Sequence, residues 1–349
     1  MSSDDAKGRL KVVQWATGNI GTRSLGSVIT HPNLELVGVY VHSAAKEGRD
    51  AGELCGLDPI GVRATRSIDD IVALGADCVL YMPQSLDADE VCRLLASGSN
   101  IVTTRGEFHR PASMDPTLRE RIEAACAAGG TSIHSTGSSP GFITEAVPLV
   151  LTSIQRRLDC LSIDEYADLS QRNSPELLFQ IMGFGQPPAE IDPRRYTHGV
   201  VSFGPSLQLV AESLGLPLDS IEGRGEMAVA SRTIEIAAGT IEKGTVAGQR
   251  MVVEGKRGGR TLIQFRSNWY CTTELDADWP LLSTGWRVSV EGDAPLEVTL
   301  NFPFGLDRMA EMSPGYTAHR AVNAVPYVCR ADPGIRTIVD LPNIVAALG

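Results

Sequence analysis

Near the amino terminus, Ala16-Thr17-Gly18-Asn19-Ile20-Gly21 has the spacing of G-x-G-x-x-G with alanine at the first position. In that pattern the second glycine lets backbone approach a pyrophosphate, and the third lets a helix pack tightly on a strand. A helix starting at Asn19 offers unpaired N–H groups and a positive dipole end to an anion. Thr17, Gly18, Asn19, Ile20 and Gly21 are therefore the expected cradle for a dinucleotide diphosphate. The residue that reads the adenosine ribose lies about 20 positions on, at the end of the second strand. That strand ends Val41-His42-Ser43, with no Asp or Glu before Glu47 to pair with a ribose diol. Ser43, Lys46 and Arg49, with His42 beside them, instead offer a hydroxyl and cations to a 2′-phosphate. The expected cofactor is NADP(H) in preference to NAD(H).

Three loops at the carboxyl ends of the strands complete the constellation: residues 83–85, 104–110 and 137–142. Pro83, Gln84, Thr104, Ser139 and Pro140 are expected to border the cofactor. Glu107 can take a proton from an ammonium group or activate water, and His109 is the competing acid–base group two residues on. Tyr166, Asp168 and Arg172 are candidate substrate contacts, with Tyr166 and Asp168 on one face of a strand by alternation. A solvent-facing sheet edge explains these three equally well. Trp269, Tyr270 and Trp286 read as core, interface or pocket aromatics. A different chemistry is also spelled out: Gly137-Ser138-Ser139-Pro140-Gly141 satisfies G-x-S-x-G, with His198 and His319 downstream. Pro140 would remove the N–H that completes an oxyanion hole, and a hydrolase has no use for the glycine loop. No metal-ligand spacing is present.

These residues need a scaffold of alternating strands and helices. Apolar runs at 11–16, 34–42, 77–83, 100–104 and 131–135 alternate with helical patterns at 20–30, 67–74, 87–97 and 116–128. Runs that are continuous rather than alternating argue for a parallel sheet covered on both faces. Pro140 is expected at the first turn of a helix over 142–158, followed by a strand at 160–167 and a Pro/Gly-rich crossing at 183–193. After a helix at 200–214, β-branched runs at 226–236, 250–254, 261–269, 286–291 and 296–302 predict a mainly antiparallel sheet. Lys256-Arg257-Gly258-Gly259-Arg260 reads as a hairpin turn. The expected fold class is α/β: an N-terminal Rossmann doubly wound parallel sheet over 1–139, an α+β substrate and dimerisation domain over 140–315, and a 316–349 segment returning to the first domain.

Composition agrees. The 349 residues are 43% hydrophobic and 21% charged, enough for a sizeable core, and the net charge of −11 excludes a basic nucleic-acid footprint. The bias of 26 Arg against 5 Lys reads as the codon usage of a GC-rich genome. Seven scattered cysteines without a C-x-x-C pair fit a reducing compartment. The start has no apolar signal segment and no run approaches a membrane span, so a cytoplasmic, soluble protein without membrane partners is expected.

Three segments carry a resemblance: 14–21, Val41-His42-Ser43 with Gly48-Arg49-Asp50-Ala51-Gly52, and Thr136-Gly137-Ser138-Ser139-Pro140-Gly141-Phe142. Together with Asn323-Ala324-Val325-Pro326 and Pro333-Gly334-Ile335, they are similar to the dihydrodipicolinate-reductase-like family. The similarity is closer to its branch of 2,4-diaminopentanoate dehydrogenase and native amine dehydrogenases. The resemblance implies a dimeric NAD(P)-dependent enzyme that makes an amine from a small ketone or aldehyde and ammonia, or oxidises the amine. It implies Glu107 as the catalytic glutamate. The chain departs from the branch at Ser139, where an Asn is usual, and around Glu107, where a Cys-Glu-Glu context is usual. The His-His pair and Lys of a true dihydrodipicolinate reductase have no counterpart. An imine or carbonyl reductase of another substrate, or an NADP(H)-binding protein without catalysis, are the alternatives.

Overall fold

The computed structural model describes residues 8–188 and 193–349, the side chains of 193–196 excepted. The expectations for residues 1–7 and for the crossing at 189–192 lie outside the described residues. Two compact units are present: Met1–Phe142 with Glu311–Gly349, and Ile143–Ala310.

In the first unit the chain runs β1 (Leu10–Trp15), α1 (Asn19–Ile29), β2 (Leu34–Tyr40), α2 (Ala51–Leu54), β3 (Ala64–Thr65) and α3 (Ile68–Ala73). It continues through β4 (Cys78–Tyr81), α4 (Ala88–Ala96), β5 (Asn100–Thr103), α5 (Pro116–Gly129) and β6 (Ser132–Ser135). Helix starts follow local chemistry. Ser67 caps α3 by accepting from Asp70 N at 3.1 Å, and Asp87 caps α4 by accepting from Asp89 N and Glu90 N. Val91, Leu94 and Leu95 form the buried face of α4, each contributing roughly 1.5–3 kcal/mol by burial. Every residue of β4 and β6 is buried, as strands covered on both sides must be. Val12 and Val13 of β1 accordingly enter different cores, one with Leu25 and Val28 of α1, the other with α4 and α5.

The second unit begins with α6 (Val147–Thr152), β7 (Leu158–Asp168) and α7 (Pro193–Ser213). Then come β8 (Ser220–Val229), β9 (Ile234–Ile236), β10 (Gly239–Ile241), β11 (Val246–Arg257), β12 (Arg260–Tyr270), β13 (Gly285–Gly292) and β14 (Leu296–Asn301). Strands β14-β13-β7-β12-β11-β8 make one sheet in which only β7 and β12 pair in parallel. The sheet is mainly antiparallel, as expected. Gly258 and Gly259 turn the β11–β12 hairpin at φ +57° and +73°. One face packs under α7, where Phe203 stacks on Phe265 at 4.0 Å.

Three expectations need correction here. Helix 142–158 stops at Thr152, and β7 already begins at Leu158. Pro140 is not in a first helical turn: Ser139, Pro140 and Gly141 are non-helical, Gly141 at φ +117°, and the chain coils only after them. The run 226–236 is two strands, β8 and β9, parted at Ala230, whose N–H turns to Thr245 O.

The chain ends with α8 (Met309–Val328), which belongs to the first unit from Glu311 on, and β15 (Gly334–Arg336). Ala321, Val322, Ala324, Val325 and Val328 of α8 join the α1 core, and β15 pairs with β6. The resulting seven-stranded parallel sheet has the order β15-β6-β5-β4-β1-β2-β3. Strand order reverses at β1, with β2 on one side and β4 on the other, which opens a crevice beyond their carboxyl ends.

Candidate active site

The glycine loop sits at that crevice. Ala16 has φ +69°, the left-handed conformation for which glycine is the usual choice, and its N–H bonds to Tyr40 O at 2.9 Å. Buried Gln14 holds the turn by donating from Nε2 to Ala16 O at 3.0 Å. At Gly21 a Cβ would lie 2.2 Å from Ala16 O, so only glycine lets α1 approach the loop this closely. At Gly18 a Cβ would meet nothing within 4 Å, and no side chain caps α1 there. An uncapped helix start facing open space fits the diphosphate of a dinucleotide.

Beyond β2, His42, Ser43 and Arg49 are exposed. Tyr40 stacks on Trp15 at 3.7 Å, and the His42 ring meets Tyr40 edge-on. Lys46 is not a free solvated charge: Nζ donates to Thr17 O at 2.8 Å and Thr17 Oγ1 at 3.0 Å. Glu47, the first carboxylate after the strand, faces Arg66 at 3.8 Å.

The loops after β4 and β5 hold the acid–base candidates. Pro83 and Thr104 are half-buried and Gln84 is exposed. Phe108 is fully buried and anchors the second loop, with His109 only 3% exposed beside it. Arg105 Nη2 donates to Glu107 Oε1 at 2.6 Å, while Oε2 is buried without a partner among the described residues. Arg105 also donates from Nη1 to Gln84 O and accepts from Ser135 Oγ at its carbonyl.

In the third loop, Ser138 Oγ and Thr317 Oγ1 of α8 share a hydrogen bond of 2.7 Å. Gly141 is required at φ +117°, with Thr136 Oγ1 3.2 Å from where a Cβ would stand. Ser139 Oγ is buried without a hydrogen-bond partner among the described residues, so no histidine activates it and the hydrolase elbow lacks its base.

Tyr166, Asp168 and Arg172 belong to the second unit. Strand β7 lies inside its sheet, not at an edge. Tyr166 is 2% exposed, and burial pushes its hydroxyl up to about 12. Asp168 Oδ1 accepts from Ser170 N at 2.9 Å, and Arg172 is exposed on the following turn. Trp286 Nε1 donates to Glu165 Oε2 at 3.1 Å, while Tyr270 is buried. Asp164 of β7 is 2% exposed and accepts from Arg266 Nε at 2.6 Å and Nη2 at 2.8 Å.

Sequence reasoning passed over Arg105, Thr317 and Asp164. The contacts of Arg105 with Gln84 and Ser135, of Thr317 with Ser138 and of Asp164 with Arg266 join separate elements of the fold, so no local spacing signals them. A cavity of about 870 Å³ opens at the other end of the parallel sheet, lined by Arg9, Lys11, Asp77, Tyr327 and Arg330 among others. Arg330 follows the carboxyl end of α8, whose dipole a cation complements.

A doubly wound parallel sheet with a glycine-bearing turn at its switch point is an architecture on which dinucleotide-binding oxidoreductases are built. The family described as the 2,4-diaminopentanoate dehydrogenase C-terminal domain matches residues 143–349, and the chain belongs to that family. An amine dehydrogenase of Streptomyces virginiae is 29% identical over 351 residues, covering 95% of this chain and 96% of its own. The 2,4-diaminopentanoate dehydrogenase of Acetoanaerobium sticklandii is 22% identical over 367 residues, covering 98% and 96%. Among solved structures, an amine dehydrogenase from Mycobacterium smegmatis shares the fold with a TM-score of 0.71 at 20% identity, 97% of each chain being covered.

Proposed function

We propose that the protein is an NADP(H)-dependent amine dehydrogenase. A small ketone or aldehyde, ammonium and the reduced dinucleotide become a primary amine, the oxidised dinucleotide and water, and the reverse oxidises the amine. When bound, the dinucleotide supplies the hydride. Thr17 to Gly21 hold its diphosphate, with Pro83, Gln84, Thr104, Ser139 and Pro140 around the reactive end. Glu107 takes a proton from ammonium, freeing the lone pair that attacks the carbonyl carbon. In the adduct one proton passes from nitrogen to oxygen, and Glu107 then returns its own proton to the resulting hydroxyl, which leaves as water and creates the iminium that the hydride reduces. Glu107 thus ends each turnover as it began. His109, Tyr166, Asp168 and Arg172 are the candidate substrate contacts.

The observation that carries this reading is the buried, unpartnered Oε2 of Glu107 on the loop after β5. A carboxylate oxygen withheld from water lacks the hydrogen bond that an ammonium group would supply. Preference for NADP(H) is supported by the absence of a carboxylate at the end of β2 and by Lys46 and Arg49 in its place. The working unit in this reading is a cytoplasmic homodimer, and seven free cysteines fit that compartment. Fluorescence titration with NADPH and NADH, followed by small carbonyls with and without ammonia, tests the proposal. Tighter NADPH binding and cofactor consumption that needs both carbonyl and ammonia are expected. Consumption without ammonia would make it a carbonyl reductase, and binding without turnover an inactive nucleotide-binding protein.

A further inference from the structure

We propose that Arg105 is the positioning residue of this site, a two-armed clamp that decides which oxygen of Glu107 meets the substrate nitrogen. The inference rests on the reading of Glu107 as the proton-transfer group. One arm, Nη2, holds Glu107 Oε1 at 2.6 Å, and the other, Nη1, reaches the Gln84 carbonyl in the loop after β4. The backbone of Arg105 is pinned as well: its N–H donates to Thr103 Oγ1 at 3.1 Å, and its carbonyl accepts from Ser135 Oγ on β6. One residue therefore ties the loops after β4 and β5 and the end of β6 together.

Side-chain exposures of 28% for Arg105 and 31% for Glu107 separate this pair from a freely solvated surface pair. With Oε1 engaged, Oε2 is the one carboxylate oxygen left without a partner among the described residues. A planar guanidinium can grip a carboxylate and a carbonyl at once in fixed directions; a lysine ammonium on a flexible stem cannot fix both. A second consequence concerns the substrate. Because both Nη arms are engaged, Arg105 itself is not the anchor of a substrate carboxylate.

The test compares Arg105→Met, Arg105→Lys and Glu107→Gln in reductive amination of a neutral ketone and of a keto acid with the same carbon count. Arg105→Met is expected to lower kcat by roughly 10–100-fold while KM for the ketone stays within about twofold, since a misaimed base loses rate rather than binding. Arg105→Lys recovers part of that loss. In the nucleotide-free protein, Arg105→Met accelerates amide hydrogen exchange at both 83–86 and 105–109, a readout independent of turnover. Wild-type kcat in Arg105→Met alongside an inactive Glu107→Gln overturns the clamp and leaves the Glu107 reading standing. Full turnover in Glu107→Gln overturns both. A wild-type preference for the keto acid that Arg105→Met abolishes overturns the clamp in favour of a carboxylate anchor.

Discussion

Alanine at Gly18 and alanine at Gly21 separate the two jobs of the glycine loop. Gly18 has φ −74° and ψ −164°, a conformation open to any residue, and nothing stands within 4 Å of its would-be Cβ. Gly18→Ala therefore leaves folding intact, with an unfolding temperature equal to the parent or slightly above it. The new methyl occupies the space through which a diphosphate reaches the start of α1. Losing two charge-assisted N–H contacts of about 1.5–3 kcal/mol each weakens NADPH binding roughly 10²–10⁴-fold. Gly21→Ala behaves differently, because its Cβ lies 2.2 Å from Ala16 O, a backbone atom that cannot swing away. Relief requires α1 to retreat by about 1 Å, an overpacking cost of about 1–3 kcal/mol. That lowers the unfolding temperature by about 2–12 °C and impairs binding as well. Differential scanning fluorimetry and NADPH titration of both variants give four numbers. Parental NADPH affinity in Gly18→Ala would refute the assignment of this loop as the diphosphate cradle, whatever Gly21→Ala does.

Arg49→Ala is expected to weaken NADPH roughly 10–100-fold while leaving NADH within about twofold, as loss of a charged hydrogen bond to a 2′-phosphate requires, read by the same titration. Asp164→Asn strips the buried charge from Arg266 and from Arg287, 3.6 Å away, and lowers stability by about 3 kcal/mol in urea unfolding. Burial raises the Glu90 carboxyl above its ordinary range, although the Tyr81 hydroxyl donates to it at 3.0 Å. The folded chain then binds this proton more tightly than the unfolded one, so this group's contribution to stability declines as pH rises from the usual carboxylate range through the raised value. Glu90→Gln is accordingly expected to melt higher than the parent at neutral pH, with the gap closing below about pH 4.5.

Much of the first unit was legible because its signals are local. A strand, a glycine spacing and a helix start follow one another within residues 10–21, and Ser67 caps α3 through a neighbour three residues away. The β11–β12 hairpin was legible for the same reason, two glycines in a basic turn. What escaped depends on distant partners. Asp164 meets Arg266 across the β7–β12 pairing, about a hundred residues along the chain. Arg105 matters through Gln84 and Ser135, on loops and strands that only the fold brings to it. The turn at Ser139–Gly141 misled because Pro–Gly before an apolar stretch reads as a helix start, whereas the hydrogen bond from Phe142 N to Gly137 O closes a loop first.

The most direct measurement is Glu107→Gln, with nucleotide affinity and reductive amination followed in the same preparation. The amide keeps the size of the side chain and its contact with Arg105 but cannot take a proton from ammonium. Unchanged NADPH binding with turnover reduced roughly 10²–10⁴-fold is the expected result. Turnover equal to the parent, with ammonia still required, would contradict the account at its centre.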